Sequence, residues 1–151
     1  FRALALRRKQ TLLTLHSLSM LHSRGFLAEV FSILARHSIS VDLVTTSEVN
    51  IALTLDTTGS TSTGDTLLTQ SLLMELSELC RVEVEEDLAL VAIIGNELSR
   101  ASGVGKEVFG VLEPFNIRMI CYGASSYNLC FLVPGAEAEQ VVQKLHHNLF
   151  E

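Results

Sequence analysis

One stretch is the most informative about the fold, because a related copy of it follows later in the chain. This stretch runs from Met20 to Glu48, MLHSRGFLAEVFSILARHSISVDLVTTSE. When Gly25 is aligned with Gly103, the two copies match without a gap as far as Leu55. Residues that are identical in both copies include, in the first copy, Gly25, Glu29, Val30, Phe31, Leu34, Ile39 and Ser47. The chain therefore contains two copies of one small α/β unit.

The copies differ in their polar side chains. The first copy has Ser23, Asp42, Thr46 and Glu48 where the second copy has Ala101, Ile120, Ala124 and Ser126. We expect a polar site in the first copy and a region of similar structure without that site in the second.

Hydrophobic periodicity predicts the order strand, helix, strand, strand, helix, strand in the first copy. This is the order of a ferredoxin-like βαββαβ unit. The second copy is one strand short, and an apolar segment at residues 1–6, closed by the basic run Arg7–Lys9, can supply that strand. We therefore predict an α+β protein of two tandem ferredoxin-like units, with the first inserted into the second. The predicted bounds are 7–86 for the first unit, and 1–6 with 87–151 for the second.

Composition excludes several classes of partner. The net charge of −6 argues against binding to nucleic acid or to an anionic membrane. We find no apolar run long enough for a transmembrane helix and no signal peptide. Three cysteines without a C-x-x-C spacing favour reduced thiols in a cytoplasmic protein. Because the chain begins with Phe1 and not with Met, we expect a fragment of a longer protein.

Motifs for catalysis or for cofactors are not convincing. The run Gly59–Thr66 resembles a phosphate-binding P-loop, but Asp65 stands where lysine should contact the phosphates, and a carboxylate there would repel them. The five histidines lack a metal-binding spacing, and no nucleophile with its base is recognisable. We therefore predict no catalytic residue, no metal and no cofactor in this chain.

The polar cluster of the first copy suits an amino acid. A helix opened by Gly25 leaves backbone N–H groups that can bind a carboxylate, with Ser23 nearby. Asp42 and Glu48 can bind ammonium groups. The alternative is that both carboxylates are ordinary surface residues and that Ser23 is a helix N-cap.

Tandem units of this order, with glycine opening the first helix, resemble ACT domains, which sense amino acids for metabolic enzymes. The stretches Met20–Phe31, Ser40–Val49 and Gly103–Phe109 are similar to the C-terminal regulatory region of bacterial lysine-sensitive aspartate kinases. This resemblance implies feedback inhibition by L-lysine, which binds between the first units of two subunits. It also implies a homodimer, or a tetramer in the parent enzyme, and a kinase domain with ATP and Mg before Phe1.

The resemblance also assigns the lysine pocket. The positions that match it are Met20, Ser23, Gly25, Phe26, Leu27, Ser40, Val41 and Asp42, with Thr46, Ser47 and Glu48 beside them. Two other interpretations stay open, namely a free-standing amino-acid-binding or oligomerisation module without an enzyme, and a small enzyme in its own right.

Overall fold

The computed structural model describes residues 2–17, 25–47, 50–56, 69–96, 98 and 101–150. The chain forms two compact units, of which one comprises Thr11–Glu85 and the other comprises Phe1–Gln10 together with Glu86–Glu151. We call them the inserted unit and the outer unit. The chain passes between them after Gln10 and again after Glu85, whereas the sequence placed these boundaries after residues 6 and 86.

Strands and helices alternate in the predicted order within the part of the chain that the structure describes. The strands are β1 (Ala3–His16), β2 (Ser40–Thr46), β3 (Asn50–Asp56), β4 (Arg81–Ile94), β5 (Met119–Tyr122) and β6 (Asn128–Pro134). The helices are α1 (Phe26–Arg36), α2 (Gln70–Ser77), α3 (Val104–Val111) and α4 (Ala138–Leu149), with a 3-10 turn at Gly135–Glu137 before α4.

In the inserted unit the strand order is β2-β3-β1-β4, and β3 is antiparallel to both β1 and β2. Alternate residues of β1 and β3 enter one core, because successive side chains of a strand point to opposite faces. Helices α1 and α2 cover that face with their apolar stripes. The buried residues of this core are Leu13, Leu15, Phe26, Val30, Ile33, Leu34, Ile39, Ile51, Leu53, Leu55, Leu72 and Leu76.

The outer unit repeats this plan with the strand order β1-β4-β6-β5 and antiparallel pairing of β6 with both β4 and β5. Its core lies under α3 and α4. The core members include Ala89, Val91, Ile93, Val104, Val108, Leu112, Leu129, Phe131, Val133, Ala138, Val141 and Leu145. Both units thus have the ferredoxin-like strand order, which confirms the predicted α+β class.

Strand β1 differs from expectation, because it runs unbroken through the basic segment that was predicted to end a first short strand. The side chains of Arg7, Arg8 and Lys9 are exposed, so a strand can carry them without burying a charge. Lys9 adopts a left-handed backbone (φ 57°), and Asp87 does the same in β4 (φ 60°). Both residues lie close to the places where the chain passes from one unit to the other.

Candidate functional site

Helix α1 begins at a glycine that no other residue could replace without strain. Gly25 has φ 77° and ψ 11°, a left-handed conformation that L-residues other than glycine rarely adopt. A Cβ atom at this position would meet nothing within 4 Å, so the backbone conformation, and not crowding, requires glycine. Because Gly25 supplies no side-chain cap, the first-turn N–H groups have no acceptor from the cap residue and can receive an anion.

The first two residues of α1 have different surroundings. Phe26 is buried in the core of the inserted unit and anchors the start of the helix. Leu27 is 43% exposed and lies beside the first-turn N–H groups. Leu27 thus presents an exposed apolar side chain at the start of α1.

Two predicted residues at the end of β2, Thr46 and Ser47, are exposed. Two hydrogen bonds join Ser47 to Asn50: the Ser47 N–H donates to the Asn50 carbonyl at 2.9 Å, and Asn50 Nδ2 donates to Ser47 Oγ at 3.2 Å. Asn50 Oδ1 is buried and accepts no hydrogen bond from the residues that the structure describes. The register partner of Asn50 on β1 is His16. His16 Nε2 lies 3.4 Å from Glu83 Oε2, and the two form an ion pair only when the imidazole is protonated.

Asp42 lies in an irregular part of β2. Ser40 and Val41 are half-buried and Asp42 is exposed. The register changes from Val41 opposite Leu55 to Val44 opposite Leu53, so β2 has one residue more than β3 between these pairs. This is a β-bulge, which turns side chains away from the regular alternation of a strand.

The bulge is stabilised by a buried hydroxyl. The Leu43 N–H donates to Thr54 Oγ1 at 2.9 Å, and Thr54 is fully buried. A buried N–H without a partner costs about 1–3 kcal/mol, so the hydroxyl removes a penalty that the bulge would otherwise create. Sequence reasoning missed Thr54. The only signal was a polar residue within the apolar run of β3.

The predicted residues form two groups at opposite ends of β2. Strand β2 is parallel to β1, and α1, which connects them along the chain, runs in the opposite direction. The start of α1 therefore lies at the level of the end of β2. From Asp42 to Thr46 a strand extends roughly 13 Å. One chain therefore brings Gly25, Phe26 and Leu27 toward Thr46 and Ser47, and it holds Ser40, Val41 and Asp42 apart from them. Met20, Ser23 and Glu48 lie outside the described residues.

The outer unit has the same elements without the polar groups. Gly103 opens α3 with φ 82° and ψ 0°. Ile120, which takes the place of Asp42, is 44% exposed on β5. The β5–β6 register is constant from Met119 to Tyr122, and the repeat partner of Thr54 is the buried Leu132. No cluster of metal-ligating side chains occurs among the described residues of either unit, and no helix among them is long and apolar enough to cross a membrane.

Comparison with known proteins finds similarity to ACT domains and to aspartokinases. Residues 91–149 match the ACT domain family. Over all 151 residues the chain is 89% identical to the lysine-sensitive aspartokinase 3 of Escherichia coli (strain K12), where the match lies in the C-terminal part. The chain is a close homologue of the aspartokinase regulatory region. That relationship confirms the resemblance to lysine-sensitive aspartate kinases and the ACT-type fold.

Solved structures agree with this relationship. The structure of E. coli aspartokinase III in complex with lysine and aspartate (T-state) matches 100% of this chain with a TM-score of 0.90 and 86% identity. A putative C-terminal regulatory domain of aspartate kinase from Porphyromonas gingivalis matches 99% of the chain with a TM-score of 0.82 and 29% identity. The chain spans 34% of the length of the E. coli relative and 97% of the P. gingivalis domain.

Proposed function

We propose that this chain is the lysine-binding regulatory region of an aspartate kinase and that it transmits feedback inhibition by L-lysine. The observation that carries this proposal is the 89% identity, over the whole chain, to a lysine-sensitive aspartokinase, a relative whose T-state complex contains lysine. The enzyme's kinase domain would lie elsewhere in the parent protein. ATP, Mg and aspartate would bind there, and this chain would need no cofactor or metal.

Lysine presents a carboxylate and two ammonium groups, and the inserted unit offers a partner for each kind of charge. The N–H groups at the start of α1 would bind the carboxylate, because the positive end of the helix dipole faces it. Asp42 would bind an ammonium group through a charge-assisted hydrogen bond worth about 1.5–3 kcal/mol. Ser40, Val41 and Leu27 would line the aliphatic part, with Thr46, Ser47 and Glu48 beside it.

Separation of the two groups along β2 favours a site shared by two chains. Strand β2 is the outermost strand of the inserted unit in the described order, and most of its residues are exposed. An edge strand of this kind can pair with the same strand of a second copy across a two-fold axis. Antiparallel pairing would bring Asp42 of one chain to the level of Gly25 in the other. Lysine would then bind at the dimer interface.

The outer unit lacks the carboxylate at Ile120 and would serve packing. The parent enzyme would be a cytoplasmic homodimer or a tetramer built from such dimers, without a nucleic-acid or membrane partner. A net charge of −6 supports the last point, because phosphate groups would be repelled.

Titration of the chain with L-lysine by isothermal calorimetry tests the proposal, with light scattering before and after lysine. We expect one lysine per chain and a dimer that lysine stabilises, because a ligand at a shared surface favours assembly. Absence of binding would overturn the proposal. A monodisperse monomer that binds lysine would overturn only the shared site. Sequencing the reading frame upstream of Phe1 separates a kinase regulator from a free-standing module.

A further inference from the structure

Two cysteines of the outer unit stand directly opposite each other in its sheet. Cys121 on β5 is the register partner of Cys130 on β6, and the pairs Met119–Leu132 and Ile120–Phe131 beside them keep the same register. Both cysteine side chains therefore project from one face of the sheet. The structure contains no disulfide between them.

The register brings the pair within reach of a disulfide. Directly opposite residues of an antiparallel pair have Cα atoms about 4.5–5.5 Å apart, and disulfides span Cα distances of about 4.4–6.8 Å. The Cβ atoms of such a pair are about 4.5–5.5 Å apart, whereas a disulfide needs about 3.5–4.5 Å. The strands must approach slightly to form the bond, and a strained disulfide is easily reduced again.

The difference in solvent exposure between the two cysteines determines which of them reacts first. Cys130 is only 7% exposed, whereas Cys121 is half-buried on β5, the outermost strand of the outer unit in the described order. We therefore expect a small disulfide reagent to react first with Cys121, from the sheet edge. Cys130, its register partner on β6, would then displace the reagent.

We propose that Cys121 and Cys130 form a reversible thiol–disulfide site that reacts with low-molecular-weight disulfides such as oxidised glutathione. The Cys121 thiolate attacks the glutathione disulfide, which forms a mixed disulfide and releases one glutathione thiol. The Cys130 thiolate then attacks the Cys121 sulfur, closes the protein disulfide and releases the second glutathione thiol. Both cysteine sulfurs are oxidised, one glutathione disulfide is reduced to two thiols, and the two protein protons pass to the released thiolates.

Cys80 provides an internal control. It lies in the inserted unit, its Sγ donates to the Leu76 carbonyl at 3.4 Å, and burial raises the pKa of its thiol. A raised pKa lowers the thiolate fraction at neutral pH, so Cys80 should react slowly with disulfides and alkylating reagents. Cys80 lies between α2 and β4, outside the described strands, so it has no register partner in the sheet.

The test is incubation of the folded chain with excess oxidised glutathione, followed by denaturing alkylation and peptide mass spectrometry. We expect a peptide pair joined through Cys121 and Cys130, lighter by two hydrogen atoms, with Cys80 alkylated and full reversal by dithiothreitol. Cys121→Ala should show no adduct at Cys130, and Cys130→Ala should stop at a glutathione adduct on Cys121. Cys80→Ala should behave like the parent.

Three results would overturn the proposal: a stable mixed disulfide on Cys121 in the parent chain, alkylation of all three cysteines after treatment, or a cross-link that involves Cys80 or a second chain. Circular dichroism of each variant shows whether it is folded. If Cys130→Ala is unfolded, Cys130→Ser tests the same step, and a closed disulfide in that variant is impossible.

Discussion

The inserted and outer units share a backbone plan and differ in the groups that it carries. Each unit opens its first helix with a left-handed glycine, Gly25 at φ 77° and Gly103 at φ 82°. The exposed strand position of Asp42 in the inserted unit is occupied by Ile120 in the outer unit. A glycine-opened helix is therefore common to both, and the proposed lysine site depends on the carboxylate that only the inserted unit has.

Their strands differ as well. In the inserted unit the Thr54 hydroxyl accepts the Leu43 N–H at a bulge, and in the outer unit the buried Leu132 has no acceptor and the register is regular. A hydroxyl at one buried position thus goes with the irregular strand that carries Asp42. The two copies of one fold thus differ by a few polar residues, and one of these, Thr54, is out of contact with solvent.

Gly25→Asp should have the largest effect on lysine affinity, because it places a carboxylate where the lysine carboxylate is proposed to bind. We expect lysine affinity to fall more than a hundredfold, about 2.7 kcal/mol, by calorimetry. Gly103→Asp is the matched control, since its φ is the same within a few degrees and a Cβ meets nothing within 4 Å at either glycine. Both variants should lose about 1 kcal/mol of unfolding free energy from backbone strain. Normal lysine binding by Gly25→Asp would place the ligand carboxylate elsewhere.

Asp42→Asn should have the next largest effect, because it keeps the shape of the side chain and removes its charge. We expect at least a tenfold loss of lysine affinity, about 1.4 kcal/mol. Norleucine, which lacks the ε-nitrogen, should bind the parent poorly, and the variant should discriminate less between the two ligands. Glu107→Gln, which removes an exposed charge from α3, should leave lysine affinity unchanged. Equal affinity of Asp42→Asn and the parent would mean that other groups bind the cation.

Thr54→Val should act through the bulge, because valine has the size of threonine but cannot accept the Leu43 N–H. We expect a loss of about 1–2 kcal/mol in unfolding free energy by urea denaturation. Lysine affinity should fall several-fold, since Asp42 is attached to the segment that the hydroxyl holds. Thr54→Ser keeps the acceptor and should restore most of the affinity. If Thr54→Val loses stability but binds lysine as the parent does, the bulge has no part in the site.

Ile120→Asp should have the smallest effect on lysine binding, and it tests whether the outer unit can gain a site. It restores the missing carboxylate to the outer unit without the hydroxyl or the bulge. We expect calorimetry to give the same number of lysines per chain as for the parent. Because Ile120 is already 44% exposed, the variant should remain folded. A second bound lysine would show that one carboxylate beside a glycine-opened helix is enough.

Much of the fold was predictable because its signals are local. The spacing of Val30 and Leu34 predicted an amphipathic helix, and both residues are buried on the core face of α1. Alternation of Ile51, Leu53 and Leu55 predicted a strand with one core face, which the structure has. Counting strands predicted that residues near the N-terminus supply the missing strand of the second unit. The unbroken course of β1 was not predicted, because exposed basic side chains look like a break although a strand tolerates them.

By itself, the sequence determined the repeat, the ferredoxin-like order of elements and the polar residues that only the first copy has, because each depends on neighbours along the chain. Tertiary structure alone decided the bulge held by Thr54, the opposition of Cys121 and Cys130, and the distance along β2 between Asp42 and the start of α1. All three depend on which residues face each other across strands. Side-chain patterning alone does not define that register, because shifts of two residues preserve which face each side chain occupies.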